Sequence, residues 1–189
     1  MLREARNGAR TALCESMAAI GPAHSPPRLD VGFLRSHPAH LIALGLGTGL
    51  LRPGPGTWAT AATWLAFFAL ERTLELSATT QVLIGVAALA VGTWAAGRTG
   101  AALGRPDAGE IVIDEIVAFW WLLTLLPRAG APWRLQAAAF LLFRLFDILK
   151  PEPISSLERR WPNAWGVMLD DLMAGAYAWL VIELWIRLP

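Results

Sequence analysis

Apolar positions fall into five runs, at residues 57–70, 79–96, 111–126, 135–149 and 172–188, separated by Gly-, Pro- and Arg-rich joints. The runs are rich in Ala, Leu and Trp. None shows the period-two alternation or the hairpin signals of strands. They predict helices, and with them an all-α fold. Pro127 stops the third run and Pro151 the fourth, since proline cannot continue a helix. Several runs fall short of the roughly 20 residues that a straight membrane span needs. Five such runs still leave little polar sequence to cover a soluble core. The pattern therefore predicts a multi-pass membrane helical bundle with about four or five apolar helices.

Composition points the same way. The 189 residues are 55% hydrophobic and only 16% charged, and ten tryptophans stand against one tyrosine. Indole rings favour the headgroup level of a bilayer. A net charge of +1 gives no electrostatic reason to expect nucleic acid. Cys14, the only cysteine, excludes a disulfide framework or a thiolate zinc site within one chain.

Residues 1–36 differ from the rest, with Arg3, Arg6, Arg10, Arg28 and Arg35 and the break GPAHSPPR. No apolar stretch of signal-peptide length follows the early arginines, so cleavage is not expected. The segment reads as a poorly ordered or surface-lying cytoplasmic tail, and residues 37–189 as the helical membrane domain. Arg52, Arg98, Arg105, Lys150, Arg159 and Arg160 lie in one set of joints; Arg72, Arg128, Arg134 and Arg187 lie in the other. The bias puts the first set in the cytoplasm.

The carboxylates sharpen that picture. Asp107, Glu110, Asp114 and Glu115 lie at the start of the third run. Asp147 and Glu152 lie at the end of the fourth, and Asp170 and Asp171 at the start of the fifth. In this topology all of them reach the cytoplasmic side, whereas the opposite side has only Glu71, Glu75 and Glu183. In GRPDAGEIVIDE, Pro106 suits a first helical position, and Asp107, Glu110 and Asp114 then share one helical stripe. Acids among apolar residues are costly unless paired. In GVMLDDLMAGAYA, Asp170 and Asp171 open a second apolar helix, with Gly175 leaving room for a neighbouring helix.

Two acidic pairs entering from one face point to a shared cation. Oxygen ligands without Cys or His support suggest Mg²⁺. His24, His37 and His40 fall outside the clusters and read as surface residues. In FRLFDILKPEP, Arg144 and Asp147 are spaced to pair, and Arg144 and Lys150 could grip an anionic group beside the metal. GLGTGLLRPGPGTW has five glycines and no Walker lysine; its backbone could cradle a phosphate, with Thr57 capping the next helix. A Mg²⁺ site, cations and a phosphate-sized nest at a membrane surface predict phosphoryl chemistry on a lipid headgroup. There is no Asp-x-Asp signature and no histidine in the motifs. Attack by metal-activated water, with a carboxylate as base, is therefore the expected route.

The segments GLGTGLLRPGPGT, DAGEIVIDEIV, FRLFDILKPEPI and GVMLDDLMAGAYA, in that order, resemble the phosphatidylglycerophosphatase A family of bacterial membrane phosphatases. The resemblance runs from about residue 37 to the end of the chain. It implies a Mg²⁺-dependent, multi-pass enzyme of the inner membrane whose site faces the cytoplasm. Such an enzyme hydrolyses phosphatidylglycerophosphate to phosphatidylglycerol and phosphate. Carried over by position, it points to Asp107, Asp114, Glu115, Asp147, Asp170 and Asp171, to Lys150, and to Thr48 and Thr57 in the Gly-rich loop. Ala118 stands where many members have glycine, and Arg52 where proline is common. Of these residues, Asp114, Glu115, Asp147, Lys150 and Asp171 are the expected catalytic groups. Asp107, Asp114, Glu115, Asp170 and Asp171 are the metal candidates, and Thr48, Thr57, Arg144 and Lys150 the substrate contacts.

Two other readings compete. A CDP-alcohol phosphotransferase would need Asp-Gly and Ala-Arg after its first acids, and DDLMAG lacks both. A cation transporter using buried acids predicts carboxylates near helix centres, whereas these cluster at helix ends.

Overall fold

The computed structural model describes residues 28–74, 76–127, 133–161 and 163–188, with the side chains of 157–159 excepted. Most of the predicted tail, residues 1–27, lies outside the described residues, as do Glu75 and Arg128. Every regular element described is helical. Two short helices, α1 (Val31–Ser36) and α2 (Pro38–Ala43), lead into a 3₁₀ segment, Gly45–Leu50. Then come α3 (Pro55–Leu74), α4 (Ala78–Leu103), α5 (Ile113–Leu125), α6 (Trp133–Leu149), α7 (Ile154–Arg160) and α8 (Ala164–Arg187).

Local chemistry sets these boundaries. Ser77 Oγ accepts from Thr80 N at 3.1 Å and so caps the start of α4. Gly104, at φ 65°, closes it in the left-handed conformation that glycine tolerates. Asn163 Oδ1 caps α8, accepting from Trp165 N and Gly166 N at 3.0 and 3.1 Å. Helix α8 therefore starts well before Asp170, and the acids occupy its second turn instead of opening it. Helix α3 begins at Pro55, whose fixed φ suits a helix start. Thr57 is thus inside that helix and exposed, and does not cap it.

The stretch after α4 also differs from the expected helix at Pro106. Residues 105–112 form turns, and α5 begins only at Ile113. Gly109 weakens helix there, and tertiary hydrogen bonds take over. Val112 N donates to Ala43 O at 2.9 Å, and Ile111 N to Ala108 O at 2.7 Å. Gly49 packs against the Glu110 carbonyl, a place where no side chain fits. The loop is in this way pinned to the 3₁₀ segment.

Helix α5 is the centre of the bundle, packed by α3, α4, α6 and α8. Its Val117, Ala118, Phe119 and Leu122 are essentially inaccessible. Phe119 meets Phe143 of α6 with ring centroids 5.5 Å apart, and Trp120 meets Phe67 of α3 edge-on at 5.0 Å. Gly175 of α8 faces Ala118 of α5, but a Cβ there would sit at an ordinary 3.4 Å from Ala118 O, so the packing does not depend on glycine.

Among the described residues, α4 is the one helix both long and apolar enough to cross a membrane, with 26 residues and mean hydropathy 1.5. Helix α5 has 13 residues and reaches only about 20 Å at 1.5 Å per residue. Large apolar side chains are nonetheless exposed along α4, α6 and α8, among them Leu83, Leu141, Ile148 and Trp185. Apolar surface on that scale marks contact with lipid or partners.

Candidate active site

Two helices deliver three carboxylates to one point. Asp114 and Glu115 come from the first turn of α5 and Asp171 from the second turn of α8. One oxygen from each lies within 4.8 Å of the other two. Asp114 is 7% exposed and Asp171 4%, so water does little to separate the charges. At an effective dielectric of ~20, each such pair repels by roughly 3 kcal/mol.

The two acidic pairs share a local device. Asp114 Oδ1 accepts from Glu115 N at 3.0 Å, and Asp170 Oδ1 accepts from Asp171 N at 3.1 Å. In each pair the first carboxylate is thereby tied to the backbone of its own helix.

Cations from the end of α6 and the following joint flank the trio. Arg144 Nη1 lies 2.6 Å from Asp147 Oδ2 and 3.8 Å from Glu115 Oε1. The close contact is an ion pair out of line for a hydrogen bond, and Nη1 and Nε have no hydrogen-bond acceptor among the described residues. Lys150 Nζ donates to Asp170 Oδ2 at 2.6 Å. Asp147 also faces Asp171. Among the described residues, these five carboxylates face two cations, so acids outnumber cations in the cluster.

Helix α3 closes the remaining side. A Cβ on Gly56 would overlap Glu115 Oε1 and lie 2.8 Å from its Cδ and 3.1 Å from Arg144 Nη1. The first turn of α3 can rest on this ion pair only because residue 56 has no side chain.

The structure thus gathers Asp114, Glu115, Asp147, Asp170, Asp171, Arg144 and Lys150. It does not gather the other candidates. Asp107 is exposed on the 105–112 turns, held away from α5 because no helix forms there. Thr48 Oγ1 donates to Gly45 O at 2.9 Å, which uses its proton locally. The Gly-rich segment is not an open phosphate cradle either. Gly47 N and Gly49 N both donate to Leu44 O, at 2.9 and 3.0 Å, so a tight turn consumes those amides.

The histidines also need correction. His40 is buried, with Nδ1 2.9 Å from Thr99 Oγ1 and its ring stacked on Phe33 at 4.3 Å. Burial first, then the positive charges of His37 and Arg98, hold its pKa below the usual histidine value. His37 Nδ1 accepts from Ala39 N and so caps α2. His24 lies outside the described residues. Both described histidines are structural.

Sequence reasoning missed Gly56. Its only signal was membership of a glycine-dense segment, and a contact between α3 and α5 is invisible to spacing.

The charge excess can be tested against the cation that the acids imply. Glu115 Oε2 and Asp171 Oδ2 are buried without any hydrogen-bond partner among the described residues. Buried polar atoms are normally satisfied, and orphaned carboxylate oxygens converging with a third carboxylate fit a hard divalent cation. The donor set is all oxygen, which suits Mg²⁺ better than zinc or copper.

Comparison with known proteins identifies the family. Residues 41–186 match the family described as Phosphatidylglycerophosphatase A. The chain is 40% identical over 147 residues to phosphatidylglycerophosphatase A of Haemophilus influenzae, covering 77% of this chain and 87% of the relative. It is 34% identical over 140 residues to phosphatidylglycerophosphatase A of Escherichia coli K12, covering 74% and 78%. No solved structure matches it.

Proposed function

The chain belongs to the phosphatidylglycerophosphatase A family of phosphoric monoester hydrolases, and we propose that it cleaves phosphatidylglycerophosphate to phosphatidylglycerol and phosphate with Mg²⁺. The observation that carries the reading is the convergence of Asp114, Glu115 and Asp171 with two orphaned carboxylate oxygens. Those three residues would hold the cation. When bound, Mg²⁺ supplies charge neutralisation at the phosphate and activation of water.

The remaining roles follow from the side chains. Arg144, half-buried beside Glu115 with unaligned donors, would bind a phosphate oxygen. Asp147 holds that guanidinium from the other side. Lys150 fixes Asp170, which keeps the adjacent Asp171 directed at the cluster. A carboxylate oxygen of the trio not bound to the cation would take the proton from the attacking water. We place the protein in the bacterial inner membrane with this end of the bundle at the cytoplasmic headgroups, where the arginine bias would put it.

Phosphate release by the purified protein from defined lipid phosphates, with Mg²⁺ and with chelator, tests the reading. Release from phosphatidylglycerophosphate that stops on chelation is expected. Binding of the lipid without release would overturn it.

A further inference from the structure

At the Gly54–Pro55 corner lies a cavity of about 510 Å³, lined in part by Arg52, Arg105 and Glu110. Its chemistry is the reverse of the trio's. Arg52 Nη2 lies 3.3 Å from Glu110 Oε1, and Arg105 Nη2 lies 3.2 Å from Glu110 Oε2. One carboxylate therefore holds two guanidiniums, one per oxygen, and a positive charge is left over.

Exposure separates the roles of the three residues. The Glu110 side chain is only 14% exposed, whereas Arg52 is 81% and Arg105 55% exposed. Exposed ion pairs contribute little to stability, so the arrangement has no strong structural purpose as a brace. Each guanidinium has five N–H donors, and the contacts with Glu110 use one from each. The other donors border a cavity that the neighbouring residues leave open. A Cβ on Gly109 would meet nothing within 4 Å, and Pro53 and Pro55 form walls without N–H groups. Two forked donors held apart by a fixed carboxylate suit a tetrahedral oxyanion.

Position links this cavity to the trio. Pro55 lines it, and the next residue, Gly56, rests on Glu115. Gly54 and Gly56 are separated by at most about 7 Å of chain. An anion at Arg52 and Arg105 would be a neighbour of whatever the carboxylates hold.

We propose that Arg52 and Arg105, positioned by Glu110, form a second anion subsite that takes a phosphate group. The proposal rests on the phosphate chemistry proposed above and extends it to Arg105, outside the family motifs, and to Arg52 and Glu110, to which the motifs gave no substrate role. The group could arrive as part of a lipid headgroup or as free phosphate after cleavage. Either source presents the same oxygens to the two guanidiniums.

The test is equilibrium binding to the full chain in detergent, with chelator present so that cleavage and cation-bridged binding are both absent. The probes are inorganic phosphate and short-chain phosphatidic acid. Wild type is compared with Arg52→Gln/Arg105→Gln and with a charge-matched control, Arg35→Gln/Arg98→Gln. Saturable binding that weakens at least about tenfold in the first pair and not in the control is expected. Loss confined to inorganic phosphate assigns the subsite to the product, and loss confined to phosphatidic acid assigns it to the headgroup. No saturable binding to wild type, or equal behaviour of the two double variants, would overturn the proposal. Because no turnover is read, a chain inactive on phosphatidylglycerophosphate could still pass this test, and an active one could still fail it.

Discussion

Gly56 and Glu115 occupy adjoining space so closely that a single methyl on residue 56 would overlap the Glu115 carboxylate. They are 59 positions apart in the chain, on the first turns of α3 and α5. The contact is where the backbone of one helix sets the position of a candidate ligand on another.

Gly56→Ala should therefore displace Glu115 and separate it from Asp114 and Asp171. Misplacing a catalytic group by about 1 Å can cost on the order of a hundredfold in rate, and a loss of that size is expected here. Gly97→Ala is the control, since a Cβ there would meet Ala164 Cβ at an ordinary 3.4 Å. Rate assays of both variants, with circular dichroism to verify helix content, check the prediction. Equal activity in the two would remove Gly56 from the account.

Lys150 and Asp170 should behave as an energetic unit. Their 2.6 Å charge-assisted bond joins the segment after α6 to α8, and Asp170 is only 3% exposed. Lys150→Met removes this ammonium from the buried carboxylate and should destabilise the protein by about 2–3 kcal/mol. Adding Asp170→Asn should restore part of the loss, because an amide does not need the ammonium. Thermal unfolding in detergent across the four-member cycle measures the coupling. Additive effects would mean that the pair carries no interaction energy.

Cation binding should be visible without any turnover. A ligand that binds only the folded state raises its stability with concentration. Saturating Mg²⁺ should raise the unfolding temperature of wild type by on the order of 5 °C. Asp114→Asn and Asp171→Asn should abolish the shift, and Asp107→Asn, exposed and outside the trio, should keep it. A shift that persists in Asp171→Asn would place the cation elsewhere.

The helical class and the convergence of acids were legible in the sequence because both rest on local pattern. Apolar runs bounded by Pro127 and Pro151 have helical composition, and the i,i+3 spacing of Arg144 and Asp147 anticipates their 2.6 Å contact. The joint-by-joint placement of charge brought Asp114, Asp147 and Asp171 to one end before any contact was known. Asp107 shows the limit. Its helical spacing with Asp114 was a sound pattern, but hydrogen bonds from residues 111 and 112 hold that stretch in turns. His40 shows the same limit, since burial against Thr99 and Phe33 depends on how α2 meets α4 and α1. Gly56 against Glu115, and Glu110 between Arg52 and Arg105, are long-range meetings that no local period encodes.

The central claim is that Asp114, Glu115 and Asp171 form a Mg²⁺ site that releases phosphate from a lipid headgroup. Its most direct test is the rate of phosphate release from phosphatidylglycerophosphate by wild type and Asp171→Asn, each with Mg²⁺ and with chelator. Wild type should turn over only with Mg²⁺, and Asp171→Asn, still folded, should be at least about a thousandfold slower. Wild-type turnover undiminished by chelator, or a variant that keeps most of its activity, would contradict the account.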